Sequence, residues 1–316
     1  VGYFVYHFNN QPRLFMNLRY LTETHEGFLQ TICARLEATA SIRGTGSQKL
    51  AEANVKQALA SDHPPIAWLD LSKTPYCFQP SYLDGYFPDT VVICHFDEIE
   101  QSYVIDNRSQ VPLILGNEML SMARASIRSQ KNRTMVVEPP KHQKSLKTAI
   151  EAGIQLCCSR MISPRIGNLG LKGLLKWTEM LGNTRARDGW MQTFRPGPHL
   201  YQALTGTYHA IEGGGTGGSA FRSMYTRFLL EAQQILGNQS LGDIALQYHG
   251  IASMWTALAN AVLPDSIPLF KEYKEIVRQR DHDFLSDGIG TTSKESMTNS
   301  RLLGNEYIAA NEFPLS

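Results

Sequence analysis

Residues 213–232, GGGTGGSAFRSMYTRFLLEA, decide how the chain divides. Gly213, Gly215 and Gly218 satisfy the GxGxxG spacing of a dinucleotide loop, but that loop works only between the first strand of a βαβ unit and its helix. Helical sequence surrounds it instead, and no Lys-Ser/Thr pair follows to grip a phosphate. What remains is a glycine turn feeding a helix. Phe221, Met224, Tyr225, Phe228, Ala232 and Ile235 form the buried stripe of a helix from Ser219 to Leu236. Ser219 is its candidate N-cap. The free N–H groups of the first turn, aided by Arg222, suit an anion, which makes Thr216, Gly217, Gly218 and Arg222 candidate ligand-binding residues.

Helical periodicity continues to either side. Ser145–Arg160 sets Leu146, Ala149, Ile150, Gly153 and Cys157 on one face, and Leu169–Leu181, Leu241–Val262 and Ile267–Phe284 repeat the pattern. Residues 141–285 are therefore expected to form an all-α domain, followed by a polar tail over 286–316. Pro139 and Pro140 mark the boundary, since paired prolines favour an extended connector. Ahead of them strands alternate with helices. Val1–Phe8, Ile66–Leu71, Thr90–Phe96, Ser102–Asp106 and Thr134–Glu138 are rich in β-branched and aromatic residues. Thr22–Ala38, Gln48–Ala60 and Glu118–Ser129 have helical spacing, and Asp97–Glu100 reads as a hairpin connection. The expected fold class is α+β: a domain over residues 1–140 with a partly antiparallel sheet, then the helical domain.

Composition narrows the function classes. Of 316 residues 42% are hydrophobic and 19% charged, which excludes a largely disordered chain. No stretch approaches the ~18 uninterrupted apolar residues of a membrane span, so no membrane partner is expected and a cytoplasmic location is. Cys33, Cys77, Cys94, Cys157 and Cys158 are odd in number and lack CxxC spacing, which indicates neither a disulfide scaffold nor a zinc site. His7, His63, His142, His199, His209, His249 and His282 show no ligand spacing, nor does His25, so no metal is expected. Charge is uneven: residues 121–200 hold 14 Lys/Arg against 4 Asp/Glu, a local +10 that leaves −9 for the rest of a chain of net +1. Such a basic region can attract nucleic acid, a membrane surface or an acidic protein, and no stacking motif or zinc finger beside it favours nucleic acid.

The glycine-rich segment, extended to IEGGGTGGSAFRSMYTRFLLEAQQILG, resembles the signature of the helical C-terminal domain in relatives of butirosin biosynthesis protein H. VGYFVY at the start is similar to that family's Gly-rich strand, Arg19 falls where an Arg closes its next loop, DLSKTPY (Asp70–Tyr76) is similar to its Asp…Leu-Pro-Tyr segment, and VVICHFDEIEQSYVID to its two-strand module. The likeness spans about residues 1–285. It implies a papain-like N-terminal domain that takes an acyl group from a carrier-protein thioester onto a Cys and passes it to a small amine. No cofactor belongs to the protein itself; phosphopantetheine arrives on an acidic acyl carrier protein. The nucleophile of such proteins stands in a His-Cys pair upstream of the strand that begins here at Val1, so a longer gene product is expected.

Carried over residue by residue, the resemblance places Asp106, which ends YVID, as the orienting acid. It places Asp89 where the family has its catalytic His, a departure from the pattern. His95 lies six residues beyond Asp89 on the same strand face, ~20 Å at ~3.3 Å per residue, and cannot replace it. Cys94 and His95, as strand neighbours, are expected on opposite faces. Cys77 follows the Asp70–Tyr76 segment. Three functions follow as expectations: acyl transfer, carrier or peptide binding without catalysis, and thioester or peptide hydrolysis on the same frame.

Overall fold

The computed structural model describes residues 4–8, 11–16, 23–76, 88–142, 145–213, 216–288 and Gly304. In chain order a ribbon of β1 (Phe4–Phe8) and β2 (Gln11–Met16) precedes α1 (His25–Leu36), β3 (Thr39–Arg43), α2 (Gln48–Ala60) and β4 (Ile66–Asp70). Next come β5 (Pro88–Asp97), β6 (Ser102–Asp106), β7 (Leu113–Gly116), α3 (Asn117–Ser126) and β8 (Thr134–Glu138). The remainder is helical: α4 (Lys147–Ile162), α5 (Gly170–Gly182), α6 (Trp190–Thr193), α7 (Pro198–Glu212), α8 (Arg222–Leu236), α9 (Ser240–Val262) and α10 (Pro268–Asp287). The described residues fall into two compact units. One gathers those of Glu23–Lys144 and Gln279–Ser296, the other those of Val1–Thr22, Ser145–Arg278 and Met297–Ser316.

The first unit is built on a six-stranded sheet in the order β3-β8-β4-β5-β6-β7, and every neighbouring pair is antiparallel. The sheet is thus accompanied by helices and antiparallel as expected, and the antiparallel pairing extends through all six of these strands. Strand alternation sends Leu69, Val91, Ile93, Tyr103, Ile105, Leu113 and Leu115 to one face, where they pack with Val55 of α2 and Leu120 and Ala123 of α3. Each such side chain contributes roughly 1.5–3 kcal/mol when fully buried. On the opposite face Cys33 and Leu29 of α1 cover Trp68 and Met135, with Ala40, Ile42, Ile66 and Val137 around them. That layer reaches β3, β8 and β4; on β7 Ile114 is 59% exposed. The helices start where the sequence supplies caps. Thr24 Oγ1 accepts the Gly27 N–H at 3.1 Å, and Ser47 Oγ accepts the Leu50 N–H at 3.3 Å.

In the second unit α7 is the centre. Leu200, Tyr201, Leu204, Tyr208 and Ile211 join Trp177, Trp190, Phe194, Phe270 and Tyr273 in one core. Tyr201 stacks on Phe270 with ring centroids 6.2 Å apart. The Val1–Phe8 strand, expected in the sheet, lies elsewhere: β1 pairs only with β2 among the described strands, and Tyr6 packs edge-on against Trp190 and Phe194 at 5.8 and 5.2 Å. Tyr6 thus finds its core among helices instead of strands. The helix α7 has no counterpart in the sequence reading. Its Pro198 occupies the first turn, where proline is tolerated. Thr205 and Thr207 return their hydroxyls to the carbonyls of Tyr201 and Ala203. The tail expected over 286–316 lies outside the described residues from 289 on, Gly304 excepted.

Candidate functional site

Asp89 stands at the start of β5, opposite Leu69 in β4. Its Oδ1 accepts the N–H of Thr90 at 2.8 Å and lies 3.8 Å from Nε2 of His25. The imidazole comes from the first residue of α1, immediately after the Thr24 cap. Both side chains are partly open, His25 at 27% and Asp89 at 32%, so a third group can reach the pair. An imidazole beside a carboxylate is the standard arrangement for a general base: the acid fixes the ring and stabilises the imidazolium. Sequence reasoning missed His25 because 64 residues separate it from Asp89, and only the placing of α1 brings the two together.

Asp106 does not share this place. It pairs with Val92, three residues along β5 from Asp89, ~10 Å at ~3.3 Å per residue. Beside Asp106 the β5–β6 register slips between Ile93 and His95. This bulge overturns the expectation that Cys94 and His95 face opposite ways. Ile93 is buried, Cys94 and His95 are both exposed, and Phe96 returns to the core. Burial first, then the negative charge of Asp106, pushes the Cys94 thiol above its ordinary range, with partial relief from an Asp106 backbone hydrogen bond. Such a thiol stays protonated, the opposite of what a nucleophile needs. Asp70, from the DLSKTPY segment, is fully buried and structural: its Oδ1 accepts from Ser72 N–H and hydroxyl at 3.0 and 2.7 Å, and its Oδ2 from Ser126 at 3.0 Å. Arg19 and Cys77 lie outside the described residues.

The glycine-rich turn brings Thr216, Gly217, Gly218 and Arg222 together in a different state from the one expected. Gly217, Gly218, Ser219, Ala220 and Phe221 all have positive φ, 68°, 82°, 52°, 49° and 71°. One turn of left-handed backbone therefore precedes α8, with Phe221 rather than Ser219 as the residue before the helix. Ser219 makes no cap; its hydroxyl lies 2.9 Å from Ser223 Oγ and 3.4 Å from Thr256 Oγ1, and Thr256 donates to Glu212 Oε1 at 2.8 Å. Thr216 Oγ1 donates to the Ile211 carbonyl at 3.0 Å and accepts the Gly218 N–H at 3.1 Å. Arg222, 7% exposed, folds back onto the Ala220 carbonyl and sits 4.4 Å above the Trp255 ring. Burial lowers its pKa to about 10. Thr216 and Arg222 thus each direct a hydrogen bond to a backbone carbonyl at or beside this turn.

Among the described residues no group of three or more His, Cys, Asp or Glu is placed to hold a metal ion. No helix among them is long and apolar enough to cross a membrane.

Residues 118–278 match the family described as Domain of unknown function (DUF4872), just over half of the chain, and the chain belongs to that family. The matched span runs from α3 into α10, so it takes in the glycine turn and leaves His25, Asp89 and Asp106 ahead of it. No curated protein matches the chain.

Proposed function

We propose that this member of the DUF4872 family is an acyltransferase of the butirosin biosynthesis protein H-like kind, with a papain-like N-terminal part. It moves an acyl group from a carrier-protein thioester to a small amine. The observation that carries the reading is the 3.8 Å approach of His25 to Asp89, at the position where the resemblance calls for a catalytic base. In this scheme the base and its acid have exchanged places: the strand supplies the carboxylate and α1 the imidazole. The thiol is a cysteine that the resemblance places ahead of Val1. His25 takes the thiol proton as sulfur attacks the thioester, and the imidazolium returns it to the departing pantetheine sulfur. The amine then attacks the acyl-cysteine; His25 takes the amine proton and gives it to the cysteine sulfur as that bond breaks. The basic residues of 121–200 suit an acidic carrier protein.

The test is incubation of the full-length gene product with acyl-loaded carrier protein and an amine pool, read by intact-mass spectrometry. A mass increase equal to the acyl group, discharged by amine, is expected. Absence of both the adduct and the amide overturns the proposal. A second reading is binding of the carrier without transfer, favoured by one observation: Asp106, which the resemblance makes the orienting acid, pairs with Val92, ~10 Å along β5 from Asp89 at ~3.3 Å per residue. Carrier binding with no adduct would select it.

A further inference from the structure

The sheet unit also holds a polar recess apart from His25 and Asp89, lined in part by basic residues of the 121–200 region. It opens between the Gly44–Gly46 loop, the start of α2 and the chain after α3, with a volume of about 760 Å³. Arg124, Arg128 and Lys131 line it with Thr45, Gln48 and Asn132, and its lining contains no carboxylate among the described residues. The walls are tied together. Thr45 N–H donates to the Lys131 carbonyl at 2.6 Å, and Asn132 Nδ2 donates to the Thr45 carbonyl at 2.9 Å. Gln48 is the first residue of the 13-residue α2, so the positive end of that helix dipole faces the recess.

Arg124 supplies the independent sign of a ligand. It is 4% exposed, and its terminal nitrogens donate to the carbonyls of Ala51 and Asn132 at 3.3 and 2.7 Å. Its Nε is buried with no hydrogen-bond partner among the described residues. Burial lowers its pKa to about 10, and Tyr103 is the other group acting on it. The acid nearest along α2, Glu52, is engaged by Lys56 at 2.7 Å. A buried cation lacking a counter-charge is costly to hold, and an anion beside it offsets that cost. Two exposed cations and a helix start at the same recess describe a group of more than one negative charge with several acceptor oxygens, which is a phosphate. The volume lies in the range of pockets that hold small molecules, so an ester portion fits as well.

We infer that this recess is a phosphate site, binding the phosphate of a small phosphate ester between buried Arg124, the first turn of α2, and exposed Arg128 and Lys131. The inference stands on the recess alone and needs neither the His25–Asp89 pair nor acyl transfer, although its cations belong to the basic region offered there to a carrier protein. Calorimetric titration of the full chain with inorganic phosphate, ADP and 4′-phosphopantetheine tests it. Saturable binding of at least one probe is expected, weakened at least about tenfold in Arg128→Gln/Lys131→Gln through loss of two charge-assisted contacts. The tightest of the three identifies the source as free phosphate, a nucleotide or a carrier arm. Arg124→Met is expected to abolish binding while circular dichroism stays that of the wild type; should that variant not fold, the double variant decides. No saturable binding of any probe up to about 10 mM, or undiminished binding by the double variant, overturns the inference.

Discussion

At the start of β5 two ionisable side chains meet with roughly a quarter to a third of their surface in solvent; at the turn before α8 a part-buried polar network is hydrogen-bonded within itself. His25 and Asp89 lie 3.8 Å apart, wider than a hydrogen bond, and a proton or a substrate atom can enter between or beside them. Ser219, Ser223, Thr256 and Glu212 occupy one another's donors and acceptors, and Arg222 bends back on its own turn. The backbone differs as sharply. The strand end is unstrained, whereas Ser219, Ala220 and Phe221 are left-handed, at about 1–2 kcal/mol each for non-glycine residues. An open pair invites chemistry, and a closed, strained network holds a shape. The glycine motif, the more conspicuous of the two in sequence, is the one whose described side chains bond mostly within the turn and its neighbouring helices.

The largest effect expected from breaking this contrast falls on the open pair. His25→Asn removes the proposed base and should lower amide formation by about 10²–10⁴-fold. Asp89→Asn leaves the ring but removes its acid, and should cost at least about tenfold. Both side chains are partly exposed, so denaturation midpoints should stay within about ±0.5 kcal/mol of the wild type. Equal activity of His25→Asn and wild type would place the base elsewhere.

The closed turn should show the reverse pattern, a stability loss. Gly218 has φ 82° and ψ 163°, a region that side-chain-bearing residues almost never adopt, and an added Cβ would lie 3.3 Å from Glu212 Oε2. Gly218→Ala should therefore destabilise the helical unit by roughly 1–3 kcal/mol, measured by urea unfolding followed through tryptophan fluorescence. Ala220→Gly sharpens the point. It relieves left-handed strain of about 1 kcal/mol and gives up a buried methyl worth about 0.8, so it should be nearly neutral. A Gly218→Ala variant as stable as the wild type would show that the turn is not held as described.

What the sequence made legible follows from how local its causes are. β6, β8 and α2 lie at their expected bounds, Ser102–Asp106, Thr134–Glu138 and Gln48–Ala60, because period-2 or helical patterning within each segment suffices to define them. β3 and β7 escape notice. Each is short, and its pairing with β8 or β6 comes from residues distant in sequence. In β1 Tyr6 is buried, yet which core buries it depends on Trp190 and Phe194, almost two hundred residues on. The site divides along the same line. Asp89 can be marked from a motif, whereas His25 becomes its partner only through the position of α1. A left-handed turn through Ser219–Phe221 leaves no sequence signal beyond its glycines, since serine, alanine and phenylalanine do not announce positive φ.

The smallest effect concerns the bulge between β5 and β6, where a polar cluster is open like the His25 pair yet poorly suited to nucleophilic chemistry. Cys94 is exposed beside Asp106, and the partial desolvation of its thiol together with that carboxylate raises its pKa. A raised pKa means less thiolate at any given pH below it, so iodoacetamide should modify Cys94 slowly near neutrality, with its rate climbing only above the ordinary thiol range. Asp106→Asn removes the negative charge. The pKa should then fall, the thiolate fraction rise, and alkylation at fixed pH accelerate. Burial is the larger cause and remains, so the change should be less than about tenfold, in keeping with a weak near-surface interaction. Peptide-resolved mass spectrometry separates Cys94 from Cys157 and Cys158. Slower alkylation in Asp106→Asn would mean that the carboxylate activates the thiol, and the bulge would then have to be counted with the His25–Asp89 pair as a place where chemistry can start.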